Sequence, residues 1–232
     1  MQFIFNILSI ISAVVYGVLA ILSFINGGLS KRSILFSLLM ATGILWSVGM
    51  FVTVESFDVF VGMTRYIYIM LSSLMFLLML FSLTFLSLTR KQYWLVVGVC
   101  GVLWLFAALF AFFAPGTGLI LNVDIADGGR IVENIEYNPM GLIGGGMMTV
   151  FPFMVVSIVS LALAFRQSQS AGGKRVIKSV LIGACVFAGF ILVFNVFFAS
   201  NHDMHWMGPM SILIIGFMFY NSVIKHAEDD LL

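Results

Sequence analysis

Long apolar stretches separated by short polar joints organise this chain from end to end. A bilayer core demands ~20 apolar residues per spanning helix. The stretches that meet this length run approximately Ile4–Asn26, Ser33–Val54, Val59–Leu88, Tyr93–Pro115, Met147–Phe165, Val176–Ser200 and His205–Ile224. The pattern therefore predicts an all-α membrane protein, a seven-transmembrane helical bundle in a single domain. The third stretch is long enough to tilt or project. The first lacks the positive leading region and small-residue cleavage site of a signal peptide, so it is expected to stay in the mature protein.

The polar joints carry the orientation, because Lys and Arg are retained on the cytoplasmic side. Lys31 and Arg32 follow the first span, and Arg90 and Lys91 follow the third. Arg166, Lys174, Arg175 and Lys178 surround the fifth joint, and Lys225 ends the seventh. These make nine of the eleven basic residues on alternate joints. The other joints hold Glu55 and Asp58, then Asp124, Asp127, Glu133 and Glu136, then Asp203, with Arg65 and Arg130 as the basic exceptions. The alternation requires an odd number of spans and predicts the amino terminus outside and the carboxy terminus in the cytoplasm.

The one long joint, 116–146, is extracellular on this reading. Leu119 to Ile125 and Arg130 to Tyr137 are β-prone and flank an Asp127-Gly128 turn signal, the pattern of a β-hairpin between the fourth and fifth helices. Leu121, Val123 and Ile125 fall on one face, Asn122 and Asp124 on the other. A lone hairpin is marginal in water, so it is expected to rest on the outer helix ends as a lid or platform. Gly141 to Gly146 reads either as a hinge or as a close-packing segment. On the opposite side, Arg166 to Lys178 reads as a short exposed linker. There is no internal repeat of the kind common in secondary transporters.

Composition agrees: 62% of residues are apolar and 9% charged, against roughly 45–50% and 25% in soluble domains. This predicts a multi-pass protein of the cell membrane, with the lipid bilayer as its first partner. A net charge of +1 with its basic residues in short loops excludes a nucleic-acid interface. Cys100 and Cys185 fall inside apolar stretches as small buried hydrophobes, and no disulfide framework is implied.

Intramembrane polar residues are costly and are therefore the first functional candidates. Arg65 opens the third span in Thr64-Arg-Tyr-Ile-Tyr68, with Ser72 and Ser73 beyond it. It reads either as a snorkelling or paired structural residue, with Glu55 or Asp58 as partner, or as a bidentate contact for an anion in an outward-facing pocket. Tyr66 and Tyr68 would frame that pocket or form part of an aromatic belt. Asn195, in the outer third of the sixth span, is either interhelical glue or a ligand contact. Trp46 reads as a packing anchor or a ligand platform, and Gly208-Pro209 as a helix start. His202, Asp203 and His205 have metal-binding chemistry without diagnostic spacing, and no metal or other cofactor is expected. If the third, sixth and seventh spans are neighbours, Arg65, Tyr66, Tyr68, Asn195 and His205 share the outer leaflet and form a candidate ligand-binding site. No HExxH helix, GxSxG elbow, phosphate-cradling loop or paired intramembrane carboxylates occur, so no enzyme is expected. Lys225 lies too near the cytoplasmic end to serve as a retinal lysine.

Several segments together resemble a known family. They are Leu35 to Gly49 with Trp46, the Arg65-Tyr-Ile-Tyr68 start of the third span, Tyr137-Asn-Pro-Met-Gly141, Gly173 to Lys178 with Asn195, and Ile215-Gly-Phe-Met-Phe-Tyr220. Their order resembles the N-terminal seven-transmembrane sensor region that precedes bacterial histidine kinases and some diguanylate cyclases. The resemblance covers nearly the whole chain and implies a ligand-sensing module of the bacterial inner membrane, coupled through its last helix to cytoplasmic output. No phosphoacceptor helix, ATP-binding domain or cyclase domain follows the seventh span. The expectation is therefore a non-enzymatic sensor or accessory subunit that takes a small-molecule or lipid ligand and acts through a separate signalling protein or a homo-oligomer. A small transporter or channel-like protein is the alternative, and it would need a continuous polar path through the bundle.

Overall fold

A computed structural model describes residues 2–49, 57–113, 120–126, 131–137, 150–193 and 212–220. The described residues form α1 (Gln2–Gly27), α2 (Lys31–Gly49), α3 (Phe57–Leu83), α4 (Arg90–Phe113), β1 (Ile120–Ala126), β2 (Ile131–Tyr137), α5 (Phe151–Gln167), α6 (Ala171–Leu192) and α7, residues 212–220. Five of these helices, α1 to α4 and α6, are long and apolar enough to cross a membrane, and α5 is a shorter apolar helix.

Local chemistry fixes the helix ends and moves several of them from where hydropathy alone puts them. Gly28 adopts φ 57° and ends α1, its N–H reaching Phe24 O at 3.1 Å, a conformation that glycine enters without steric cost. Ser30 then caps α2 by accepting from Ser33 N at 3.2 Å. The third helix ends at Leu83, not Leu88. Thr84, Phe85 and Leu86 donate their N–H groups three residues back in tight turns, and Arg32 takes the Thr84 carbonyl at 3.1 Å. Thr89 and Gln92 form a reciprocal capping box, with Thr89 N donating to Gln92 Oε1 at 3.0 Å and Gln92 N to Thr89 Oγ1 at 3.3 Å. The fourth helix therefore starts at Arg90, three residues before the apolar run does. The expected linker from Arg166 to Lys178 is mostly helix. Ser170 accepts from Gly173 N at 3.0 Å, so α6 begins at Ala171 and Lys174, Arg175 and Lys178 ride on its first turns. A capping serine outweighs the two helix-disfavouring glycines that follow it.

The strands pair antiparallel, with Asn122 opposite Glu136, Val123 opposite Ile135 and Ile125 opposite Val132, and with register shifts after Ile120 and after Asp124. The Asp127-Gly128 turn and the Gly141–Gly146 segment lie outside the described residues.

One end of the bundle gathers the basic joints. Arg32 donates from Nε to Thr84 Oγ1 at 3.3 Å and lies 4.5 Å from the centre of the Phe85 ring, while Lys31 Nζ sits 3.6 Å above the Tyr93 ring. Asn26 donates to the Tyr220 hydroxyl at 2.8 Å, bringing the end of α7 to the same place. We call this the basic end, and the opposite one the far end.

The described residues of α7 pack on four other helices. Ile212, Ile215 and Phe219 are fully buried. Phe219 stacks on Phe81 of α3, with centroids 5.1 Å apart and planes 9° from parallel. A methyl added at Gly216 would stand 2.8 Å from Leu19 of α1 and 3.4 Å from Met40 of α2; one at Gly183 of α6 would stand 3.1 Å from Met218. Small residues thus let α1, α2 and α6 close on α7, the mode of association expected where lipid removes the hydrophobic drive between helices. Outward, α1 exposes Ile10, Val14 and Ile21, and α4 exposes Leu95, Phe106 and Phe113. Such surfaces suit a bilayer and no aqueous phase. Three buried hydroxyls are satisfied within their own helices, Ser47 to Gly43 O, Ser82 to Leu78 O and Ser157 to Phe153 O at 2.7–2.9 Å.

Candidate functional site

Three of the five residues expected to bind a ligand lie on the first turns of α3. Arg65, Tyr66 and Tyr68 are each half-buried there. Thr64 just before them turns its hydroxyl back to Phe60 O at 2.9 Å. Asn195 and His205 lie outside the described residues, as do Glu55, His202 and Asp203, so the structure joins the α3 residues to one another and not to that pair. Among the described residues no group of three or more metal-ligating side chains occurs.

The three α3 residues do not share one role. Tyr66 turns to α2, where its hydroxyl donates to the Leu45 carbonyl and its ring lies against Gly49 so closely that a methyl there would come within 2.7 Å of Cδ1. This tyrosine is an interhelical clasp. Tyr68 stands two positions on, about 160° away around the helix axis from Tyr66 when each residue turns ~100°. Arg65 and Tyr68 are three apart, a spacing that puts side chains on neighbouring positions of one helix face, and each makes contacts of its own within the structure.

A second polar group escaped the sequence reading. Tyr16 of α1 is fully buried, and its ring packs on α2 and α7: a methyl at Gly43 would meet Tyr16 Cδ2 at 3.1 Å and Ile212 Cδ1 at 3.3 Å. Its hydroxyl is directed at Ser12 and the backbone of Leu213. Ser12 and Trp46 are also fully buried. The signal was present in the sequence, since Ser9, Ser12, Tyr16 and Ser23 recur at helical spacing along the first span and all four are buried. Reading each span for its loudest polar residue passes over a row of hydroxyls.

The basic end is built from Asn26, Arg32, Thr84 and Tyr220, none of which was singled out for function. There α7 is tied to α1, and the first turn of α2 to the turn after α3. No protein-family model matches the chain, and no curated protein matches it.

Proposed function

We propose that this chain is a non-enzymatic membrane sensor or accessory subunit. In this reading it spans the membrane seven times with its amino terminus outside, and holds a small or lipophilic ligand in an outward-facing pocket near Arg65 and Tyr68. Binding is passed along the last helix to a separate partner at the basic, cytoplasmic end. The hairpin would lie over that pocket as a lid. The orientation rests on the nine-to-two division of basic residues, and the sensor reading on the resemblance of the segments quoted above to histidine-kinase sensor regions.

The observation that carries the proposal is the position of α7. A helix touched by α1, α2, α3 and α6 through Leu19, Met40, Phe81 and Gly183, and tied by Tyr220 at the basic end, registers any change in how those helices pack. Packed cores shift between discrete arrangements rather than deforming continuously. A rearrangement at the far end therefore has a mechanical route to residue 220.

The test is a distance measurement across the basic end. With Cys100 and Cys185 replaced by alanine, spin labels are placed at Leu29→Cys and Lys225→Cys in reconstituted protein. Laurate and dodecanol serve as anionic and neutral lipophilic probes. A ligand-dependent change in the distance is expected. Binding that leaves the distance unchanged, or protein-dependent release of a trapped dicarboxylate such as glutarate, refutes the sensor reading, and the second result assigns the chain to transporters.

A further inference from the structure

Two buried polar atoms in the far half of the bundle have no hydrogen-bond partner among the described residues, Trp46 Nε1 of α2 and Ser12 Oγ of α1. Both side chains are fully buried. They also stand at one height. Tyr16 packs on Gly43, which fixes the level of α1 against α2. The helices are consecutive and run in opposite directions, so Ser12, four residues before Tyr16, and Trp46, three after Gly43, are both displaced toward the far end. At 1.5 Å per residue the displacements are roughly 6 and 4.5 Å. The Tyr16 hydroxyl reaches the same level and is directed at Ser12 and the backbone of Leu213. Tyr16, Gly43 and Ile212 pack together on the side of the basic end.

We infer that this level of the bundle is a binding site for a neutral, largely apolar molecule carrying a hydrogen-bond acceptor of the carbonyl type, which accepts from Trp46 Nε1. The donor set decides the class. An indole N–H donates only, and the serine and tyrosine hydroxyls both donate and accept. A carbonyl oxygen has two lone pairs, so one ligand carbonyl accepts from both Trp46 Nε1 and the Ser12 hydroxyl. None of these three groups carries a charge that would offset burying an ion. An unsatisfied buried donor calls for an explanation of its own, and other buried serines of this bundle are satisfied by their own helix carbonyls. The site differs from the Arg65 pocket in residues and in ligand charge, and it stands whether or not the chain signals.

The experiment uses full-length protein in nanodiscs with its tryptophans replaced by 5-fluorotryptophan, and the Trp46 resonance assigned by Trp46→Phe. The probes are 2-nonanone and nonane, alike in length and differing in the acceptor. The ketone is expected to shift the Trp46 fluorine resonance saturably, leave the exposed Trp94 resonance in place and raise the Tm; nonane is expected to do neither. Trp46→Phe keeps an aromatic ring and loses the N–H together with part of the ring volume, so it should fold, with a lower Tm, and bind the ketone about tenfold more weakly, the loss of one hydrogen bond. Ser12→Ala supplies a second variant should the first fail to fold, and it should weaken the ketone's Tm shift. An equal response to ketone and nonane, no response to either, or a ketone affinity unchanged in Trp46→Phe and Ser12→Ala overturns the inference. Arg65→Ala should leave the ketone response intact, so the fate of the anionic pocket and of this site are read separately.

Discussion

Replacing Gly49 by alanine isolates the contact that locks α2 to α3 near the candidate pocket. The new methyl would fall 2.7 Å from Tyr66 Cδ1 and closer still to Cε1. The ring cannot swing aside freely, because its hydroxyl is held by the Leu45 carbonyl. Overpacking of this kind costs about 1–3 kcal/mol, and loss of the tyrosine hydrogen bond adds about 1 kcal/mol. Alanine's better helix propensity offsets up to about 1 kcal/mol. The net expectation is a destabilisation of about 1–3 kcal/mol. Unfolding in mixed micelles titrated with SDS, followed by near-ultraviolet circular dichroism, measures it. Gly98→Ala is the control, since a methyl there meets nothing within 4 Å, and it should be neutral or stabilising. In the double variant Gly49→Ala, Tyr66→Ala the steric contribution vanishes, so the two substitutions should couple. The reasoning fails if Gly49→Ala unfolds with Gly98→Ala, or if the coupling lies within about 0.5 kcal/mol of zero.

Reporter fusions at both ends test the topology, with an outside amino terminus and a cytoplasmic carboxy terminus expected; a cytoplasmic signal from a natively inserted amino-terminal fusion overturns it. Phe219→Ala should cost about 3 kcal/mol, toward the low end for a core phenylalanine because lipid removes part of the transfer contribution. Phe106→Ala, on the exposed face of α4, should change the same unfolding midpoint little. At the candidate pocket, Arg65→Lys should weaken laurate binding by losing the bidentate fork and Arg65→Ala should weaken it further, without loss of Tm. Lower stability with unchanged affinity would make Arg65 a structural residue instead.

Hydropathy made the helices legible because a spanning helix is defined by transfer of its side chains into lipid, which is additive along the chain. Their ends obey different physics. Thr89 and Gln92, Ser30 and Ser170 decide where helices begin through single hydrogen bonds to backbone, and a window of twenty residues averages such signals away. The capping box was readable as Thr-x-x-Gln before an apolar run. The end of α3 was not, because Thr84 leaves the helix with help from Arg32, which lies 52 residues earlier. Contacts of that separation have no signature in a lone sequence.

The candidate site divides along the same line. Arg65 and the tyrosines near it were visible because charge and aromatic rings at a membrane boundary are conspicuous, yet the roles of Tyr66 and Tyr68 part only once the neighbouring helix is placed. Composition cannot say that Tyr66 closes on Leu45 and Gly49. Trp46 presents the opposite case. Its identity invited a choice between packing anchor and ligand platform, and what distinguishes them is whether its N–H is answered. Trp104 has the same indole and donates to Ser73 at 3.1 Å, so there the bond joins α3 to α4. At Trp46 the donor has no partner among the described residues. Two tryptophans in apolar helices, equivalent by sequence, thus differ in the one property that points to a ligand, because satisfaction of a polar group belongs to the assembled neighbourhood and not to the residue.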